Sequence, residues 1–301
     1  MSRKWLALVS AAALASGLTA CGSSSSSSGT GSASSGSVTL NGSGSTFAAP
    51  IYQQLGSELK GQGLTINYQA TGSGQGIADF TNKSVDFAGS DPPMEDSEIK
   101  AADKNGHPVH VPTAFGAITV SYNLSGVKSG LKFDGKTIAD IFLGKVKKWN
   151  DPEITKLNPG VQLPSSTITI VHRSDDSGTT KGFTSFLSAY SPEWAKQVGA
   201  DKTVKWPTGT GAKGNDGVAA AIKQTPGAIG YVEQAYALQN GFTVADVKNK
   251  AGKYIAPSLG SVTASGTLTP SPDAVTDASV GATHLPALFF TSANVKLFCR
   301  A

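Results

Sequence analysis

The residues best equipped for chemistry lie between Val171 and Thr180. They are Arg173, the adjacent acids Asp175 and Asp176, and the small-residue step Ser177-Gly178-Thr179-Thr180. An apolar, β-branched run, Ile168-Thr169-Ile170-Val171, precedes them. Phe183, Phe186, Leu187 and Tyr190 follow at i, i+3, i+4 and i+7, one face of an amphipathic helix. The pattern predicts a strand-to-helix turn. The first N–H groups of a helix have no partner within it, and its N-terminus carries partial positive charge, so an anion is favoured there. Gly178 lets an anion approach the backbone, Ser177 and Thr179 add hydroxyl donors, and Arg173 adds a planar fork of donors suited to an oxyanion. On these residues alone, a capped helix with Arg173 paired to Asp175 is an equal alternative.

Other chemistries fit less well. Ser177 near His172 and Asp175 invites a hydrolase reading, but the order and spacing do not help and there is no Gly-x-Ser-x-Gly elbow. His172 ends the predicted strand as a packing or surface feature. His107 and His110 are separated by a proline and read as a loop, not a metal pair. Cys21 and Cys299 are the only cysteines, so Cys-x-x-Cys zinc sites are ruled out. No enzyme activity, metal or cofactor is expected.

The elements that would position the anion site recur along the chain. Val38-Thr39-Leu40 reads as a strand, followed by a Gly/Ser turn over Gly42-Ser43-Gly44-Ser45-Thr46-Phe47. A helix starts near Pro50, with Ile51, Leu55 and Leu59 on one face. Leu64 to Tyr68 alternates as a strand, enters a second turn at Thr71-Gly72-Ser73-Gly74, and leads to a short helix with Ile77 and Phe80. Val85-Asp86-Phe87 is a third strand ending in Ala88-Gly89-Ser90-Asp91. Val109 to Tyr122 reads as an extended crossover. Ile138, Ile141 and Phe142 mark one later helix; Val218, Ala221 and Ile222 mark another; Ala228 to Val232 is a strand. Strands alternating with helices predict parallel α/β organisation, with ligands held in turns at the strand ends. Lys253 to Asp277 and His284 to Ala301 show no clear element.

The chain has 301 residues and a formal charge of +4, which falls to +2 without Arg3 and Lys4. Blocks of basic residues interleaved with aromatics are absent, so nucleic acid is not an expected partner. Arg3 and Lys4 precede an apolar run from Trp5 to Ala15 and then Leu18-Thr19-Ala20-Cys21, the layout of a secretory signal too short to span a bilayer. Leu-Thr-Ala-Cys resembles a bacterial lipobox, in which Cys21 would be lipidated. Gly22 to Ser37 is almost wholly Ser, Gly, Ala and Thr, as in a flexible tether.

Several strings resemble the periplasmic phosphate-binding proteins of bacterial phosphate ABC transporters. They are Gly44-Ser45-Thr46-Phe47-Ala48-Ala49-Pro50, Gly72-Ser73-Gly74, Val85 to Asp91, Arg173 to Thr179, Lys213-Gly214-Asn215-Asp216-Gly217 and Pro226 to Glu233. Phe142-Leu143-Gly144-Lys145 and Lys148-Trp149-Asn150 also match, so the likeness runs from about Val38 to Asn240. It implies a two-lobed α/β periplasmic-binding-protein fold, type II-like, with the ligand cleft between lobes. It implies phosphate ligands at Thr46, Phe47, Ser73, Asp91, Arg173, Ser177, Gly178 and Thr179, with Asp175 supporting Arg173. Asp91 would accept a proton-bearing oxygen that sulfate lacks. The implied function is high-affinity binding of inorganic phosphate outside the cytoplasmic membrane and delivery to the permease and ATPase subunits of an ABC transporter. The protein would be lipid-anchored to the cell membrane through Cys21, facing the periplasm or cell exterior. The implied layout is a signal peptide over 1–20, lipidated Cys and linker over 21–37, lobe I over 38–114 and lobe II over 115–283. A degenerate return toward lobe I would span 284–301. Family members run further, so a truncated, non-functional paralogue is an alternative, as is a binder of another tetrahedral oxyanion.

Overall fold

A computed structural model describes residues 37–266 and 292–300. Cys21, the signal-like segment, nearly all of the Ser/Gly tether and the segment from His284 to Phe290 lie outside the described residues. In chain order the first elements are β1 (Val38–Gly44), α1 (Ala49–Leu59), β2 (Leu64–Ala70), α2 (Ser73–Thr81), β3 (Phe87–Ser90), α3 (Asp96–Asp103) and β4 (Pro108–Tyr122). Next come β5 (Lys132–Phe133), α4 (Gly135–Phe142), α5 (Pro152–Thr155), β6 (Thr169–Arg173), α6 (Gly178–Tyr190), α7 (Pro192–Gln197), β7 (Thr210–Ala212) and α8 (Gly214–Gln224). The rest are β8 (Ala228–Glu233), α9 (Gln234–Asn240), β9 (Thr243–Val244), β10 (Asp246–Lys248), β11 (Tyr254–Ile255), α10 (Leu259–Gly266) and β12 (Ser292–Arg300). Among the described residues no helix is long and apolar enough to cross a membrane.

The strands run in the order β2-β1-β3-β12-β4-β8-β6-β7, with β9 also on β4. β1 lies parallel to β2 and β3, and β6 lies parallel to β7 and β8. β4 joins the two groups. Between Pro108 and Ala117 it pairs antiparallel with β12, and from Ile118 to Tyr122 it pairs antiparallel with β8. One strand therefore serves both lobes of the α/β fold. The parallel strands of each lobe bring their C-terminal ends, and the turns that follow them, to the site.

The predicted faces of α4, α6 and α8 are largely the buried ones, but on α1 the expected face is not: Ile51 and Leu55 are exposed, and the helix buries Ala49 and Tyr52 instead. Ile138, Ile141 and Phe142 of α4, Phe183, Phe186 and Leu187 of α6, and Val218 and Ile222 of α8 are all buried. Phe183 stacks on Tyr231 at 4.2 Å between ring centroids, and Phe142 meets Phe183 edge-on at 4.9 Å. Each such side chain contributes about 1.5–3 kcal/mol by leaving water, and aromatic pairing adds about 0.5–1.5 kcal/mol. Tyr52, Tyr68 and Phe87 form the corresponding aromatic group of the first lobe.

Several local expectations are corrected. β1 continues through Gly42-Ser43-Gly44, which the sequence suggested as turn; the turn begins at Ser45. These glycines give β1 room against β3: a Cβ on Gly42 would come within 2.3 Å of the Phe87 ring, and one on Gly44 within 2.1 Å of the Gly89 carbonyl. β3 runs from Phe87 to Ser90 and does not include Val85 and Asp86. α3 was not anticipated because its sequence is mostly polar. Its start is marked instead by Glu98, whose carboxylate accepts the Glu95 N–H at 2.8 Å. β12, in the tail that carried no clear signal, inserts between β3 and β4.

Candidate functional site

Arg173 is the last residue of β6, and Tyr231 of β8 holds it there. The phenol oxygen accepts the Arg173 N–H at 3.2 Å and shares a hydrogen bond with Thr180 Oγ1 at 2.6 Å. The aromatic core thus fixes both the end of β6 and the start of α6. His172, beside Arg173, stacks on Trp206 at 4.6 Å and 12°, and burial holds its ring below the ordinary histidine pKa. Its Nδ1 hydrogen-bonds the Arg173 carbonyl at 3.0 Å.

The Arg173 side chain is buried. Its Nε donates to Asp175 Oδ1 at 2.7 Å, its Nη2 pairs with Asp175 Oδ2, and its Nη1 donates to Thr179 Oγ1 at 3.3 Å. Asp175 also accepts the Gly214 N–H at 3.0 Å, which ties the pair to the start of α8. Burial pushes the Asp175 carboxyl up, but the hydrogen bond and charge of Arg173 outweigh it and hold the group below the usual carboxylate range. Ser177 caps α6, accepting the Thr180 N–H at 3.1 Å, while its own N–H donates to the Lys202 carbonyl at 3.0 Å.

The first lobe supplies the opposite wall. Asp91 lies just past β3 and is buried. Ser45 Oγ donates to its Oδ1, and Thr179 Oγ1 of the second lobe donates to its Oδ2 at 3.3 Å. The Asp91 N–H donates to Ser73 Oγ, the first residue of α2, at 3.2 Å. Burial pushes the Asp91 pKa up to about 6, against the lowering effects of the Ser45 hydrogen bond and the Arg173 charge. The Phe47 N–H donates to Ser45 Oγ at 3.0 Å, so that backbone donor serves its own turn. Gly178 sits where the second lobe approaches the first closely. A Cβ there would stand 2.4 Å from Ser73 Oγ and 2.6 Å from Asp91 Oδ2. Only glycine permits that approach.

The residues expected as phosphate ligands, Thr46, Phe47, Ser73, Asp91, Arg173, Ser177, Gly178 and Thr179, are therefore buried in one cluster that draws on both lobes, with Asp175 half-buried beside Arg173, whereas Asp176 is exposed. Other members were missed. Ser45 stands under Asp91. Asn215, at the start of α8, donates from Nδ2 to Thr46 Oγ1 at 2.7 Å and to Thr179 Oγ1 at 3.4 Å. Tyr236 of α9 donates to the Thr46 carbonyl at 2.7 Å. Glu233 ends β8 close by, its carboxyl pushed up to about 7 by burial. Asn215 lies within Lys213-Gly214-Asn215-Asp216-Gly217, a string already marked by resemblance, and that was the available signal. Among the described residues no group of His, Cys, Asp and Glu side chains could hold a metal ion.

The cluster sets hydroxyls from both lobes and the guanidinium of Arg173 around one carboxylate acceptor. Residues 24–283 match the family model of the PBP superfamily domain. The chain belongs to that superfamily. Within it, the chain is 47% identical over 222 residues to the phosphate-binding protein PstS of Pasteurella multocida, covering 73% of this chain and 63% of that protein. It is 46% identical over 222 residues to the phosphate-binding protein PstS of Haemophilus influenzae, covering 73% of this chain and 65% of that protein. The chain thus spans a little under two thirds of the length of these curated relatives. The same fold occurs in the crystal structure of the ancestral soluble variant of the human phosphate binding protein. The TM-score is 0.71 at 21% identity, over 87% of this chain and 81% of that one. It occurs too in a high-affinity periplasmic phosphate-binding protein, PfluDING, bound with phosphate, with a TM-score of 0.67 at 21% identity over 87% and 80%.

Proposed function

We propose that the chain binds inorganic phosphate outside the cytoplasmic membrane and delivers it to the permease and ATPase subunits of a phosphate ABC transporter. In this reading Cys21 carries the lipid that keeps the protein at the membrane. The observation that carries the reading is the pairing of donors with one acceptor. Arg173, Thr179, Ser177 and Thr46 offer donors suited to phosphate oxygens, and Asp91 is a buried acceptor suited to the proton of hydrogen phosphate. The relatives named above, by their names phosphate-binding proteins, support the same ligand. Phosphate held by groups from both lobes would favour the closed arrangement, because a ligand shifts a conformational equilibrium only by its preference for one state.

Calorimetric titration of the purified chain tests this. Saturable binding of phosphate, with sulfate rejected and no phosphate ester turned over, is the expected result. Absence of phosphate binding would sink the reading, and equal binding of sulfate would move it to oxyanions in general. The tether is tested by cell fractionation: the chain is expected in the membrane fraction and Cys21→Ser in the soluble fraction. A Cys21→Ser protein that stays with the membrane rules the lipid anchor out.

A further inference from the structure

We propose that Asn215 is a positioning residue that locks the hydroxyl of Thr46 as a hydrogen-bond donor toward the bound anion. The inference rests on the phosphate reading above and deepens it. Asn215 is fully buried, and its amide orientation follows from its surroundings. The Glu233 N–H at the end of β8 needs an acceptor and finds Asn215 Oδ1 at 2.9 Å. That places the amide nitrogen against the two threonines.

A hydroxyl has one hydrogen to donate and two acceptor lone pairs. Thr46 Oγ1 accepts from the Asn215 N–H at 3.2 Å and from Asn215 Nδ2 at 2.7 Å, so both acceptor positions are filled. Its own hydrogen is then available only for donation. Thr179 Oγ1 accepts from Arg173 Nη1 at 3.3 Å and from Asn215 Nδ2 at 3.4 Å, and it donates to Asp91. The side chain of Asn215 thus fixes the Thr179 hydroxyl as a donor to Asp91 and leaves the Thr46 hydrogen for the ligand. An anion with oxygen acceptors meets a Thr46 donor that needs no reorientation, and the cost of ordering it falls on folding rather than on binding. Without the Asn215 side chain, the Thr46 hydroxyl would have a free lone pair and would spend part of its time presenting it to the ligand.

The test is a double-mutant cycle on the full chain, read as phosphate dissociation constants by calorimetry at neutral pH. Asn215→Ala is expected to weaken binding about tenfold in the parent and less than about threefold in the Thr46→Val background, because groups in contact couple while independent ones add. Equal losses in both backgrounds, or no loss in either, overturn the inference. A residue that only supported β8 or α8 would give the additive result. If Asn215→Ala unfolds, Asn215→Ser, which keeps an acceptor for the Glu233 N–H, takes its place in the same cycle. Failure of the parent chain to bind phosphate overturns the functional reading and this inference with it. Phosphate binding with additive losses overturns this inference alone.

Discussion

Arg173→Met is expected to lower phosphate affinity about a thousandfold. Truncating one partner of a buried, hydrogen-bonded charge pair costs about 2–5 kcal/mol, and about 4 kcal/mol corresponds to three powers of ten. Two effects add in this variant. The anion loses a guanidinium, of whose five donors the described contacts engage three, two on Asp175 and one on Thr179. Asp175 also loses its cation and leaves a carboxylate facing the same site. The two are separable, because Arg173→Met/Asp175→Asn removes the stray charge without restoring the guanidinium. The double variant is expected to recover about a tenfold portion of the affinity, in line with a like charge nearby in a partly screened site. Full recovery would mean that Arg173 serves only to neutralise Asp175. Parent-like affinity in the single variant would place Arg173 outside the site. Circular dichroism of each variant guards the comparison, since breaking a buried pair also costs folding stability.

How much of this site was legible depends on the distance over which each part is assembled. Arg173 to Thr180 is contiguous: a β-branched run, a small-residue step and a helical apolar period together announce a strand ending in a helix N-terminus. The structure places β6 and α6 there. The pairing of Arg173 with Asp175 is equally local. Ser45, Asn215 and Tyr231 were not legible by the same means, because their roles exist only once β1, β8 and α8 converge. A tyrosine in the run Ala228 to Glu233 reads as core, and Tyr231 is core. Its hydroxyl nevertheless bonds the Arg173 backbone and Thr180. The resemblance marked the string around Asn215 but carried no role for it. β12 was illegible for a different reason. Its partners β3 and β4 lie far away in sequence, and a strand inserted between two others takes its identity from the slot it fills. The Gly42 to Gly44 misreading is instructive too. Glycine is permissive in turns, but here it serves close strand packing, and the residue type alone cannot separate the two uses.

Asp91→Asn is expected to remove most of the discrimination between phosphate and sulfate. The surroundings of Asp91 are built for an acceptor on both sides. Ser45 Oγ takes the Phe47 and Ala48 N–H groups at 3.0 and 3.3 Å, so its hydrogen is left for Asp91. Thr179 Oγ1 likewise takes Arg173 and Asn215 and gives its hydrogen to Asp91. An ionised carboxylate amid such donors can accept the proton of hydrogen phosphate, whereas sulfate brings only further lone pairs. Sites that leave a buried polar group unpaired reject the wrong ligand by about 10⁴–10⁵-fold, so the parent is expected to prefer phosphate by that order. An asparagine amide would offer hydrogens to sulfate and lose the acceptor that phosphate uses, and the preference is expected to drop by at least about 100-fold. The pH dependence carries the sign of the same argument. With its pKa raised to about 6 by burial, Asp91 is ionised above that pH and protonated below it. Sulfate rejection by the parent is therefore expected to be strong at pH 8 and to weaken as the pH falls through 6, where the carboxyl acquires a hydrogen to donate. The Asn variant, which has no carboxyl to titrate, is expected to bind sulfate with little change over the same range. Competition titrations of sulfate against phosphate at pH 5, 6.5 and 8 read both effects. Unaltered sulfate rejection in the variant at pH 8 would remove Asp91 from the selectivity mechanism, because no other carboxylate described at the site receives a hydroxyl donor from each lobe.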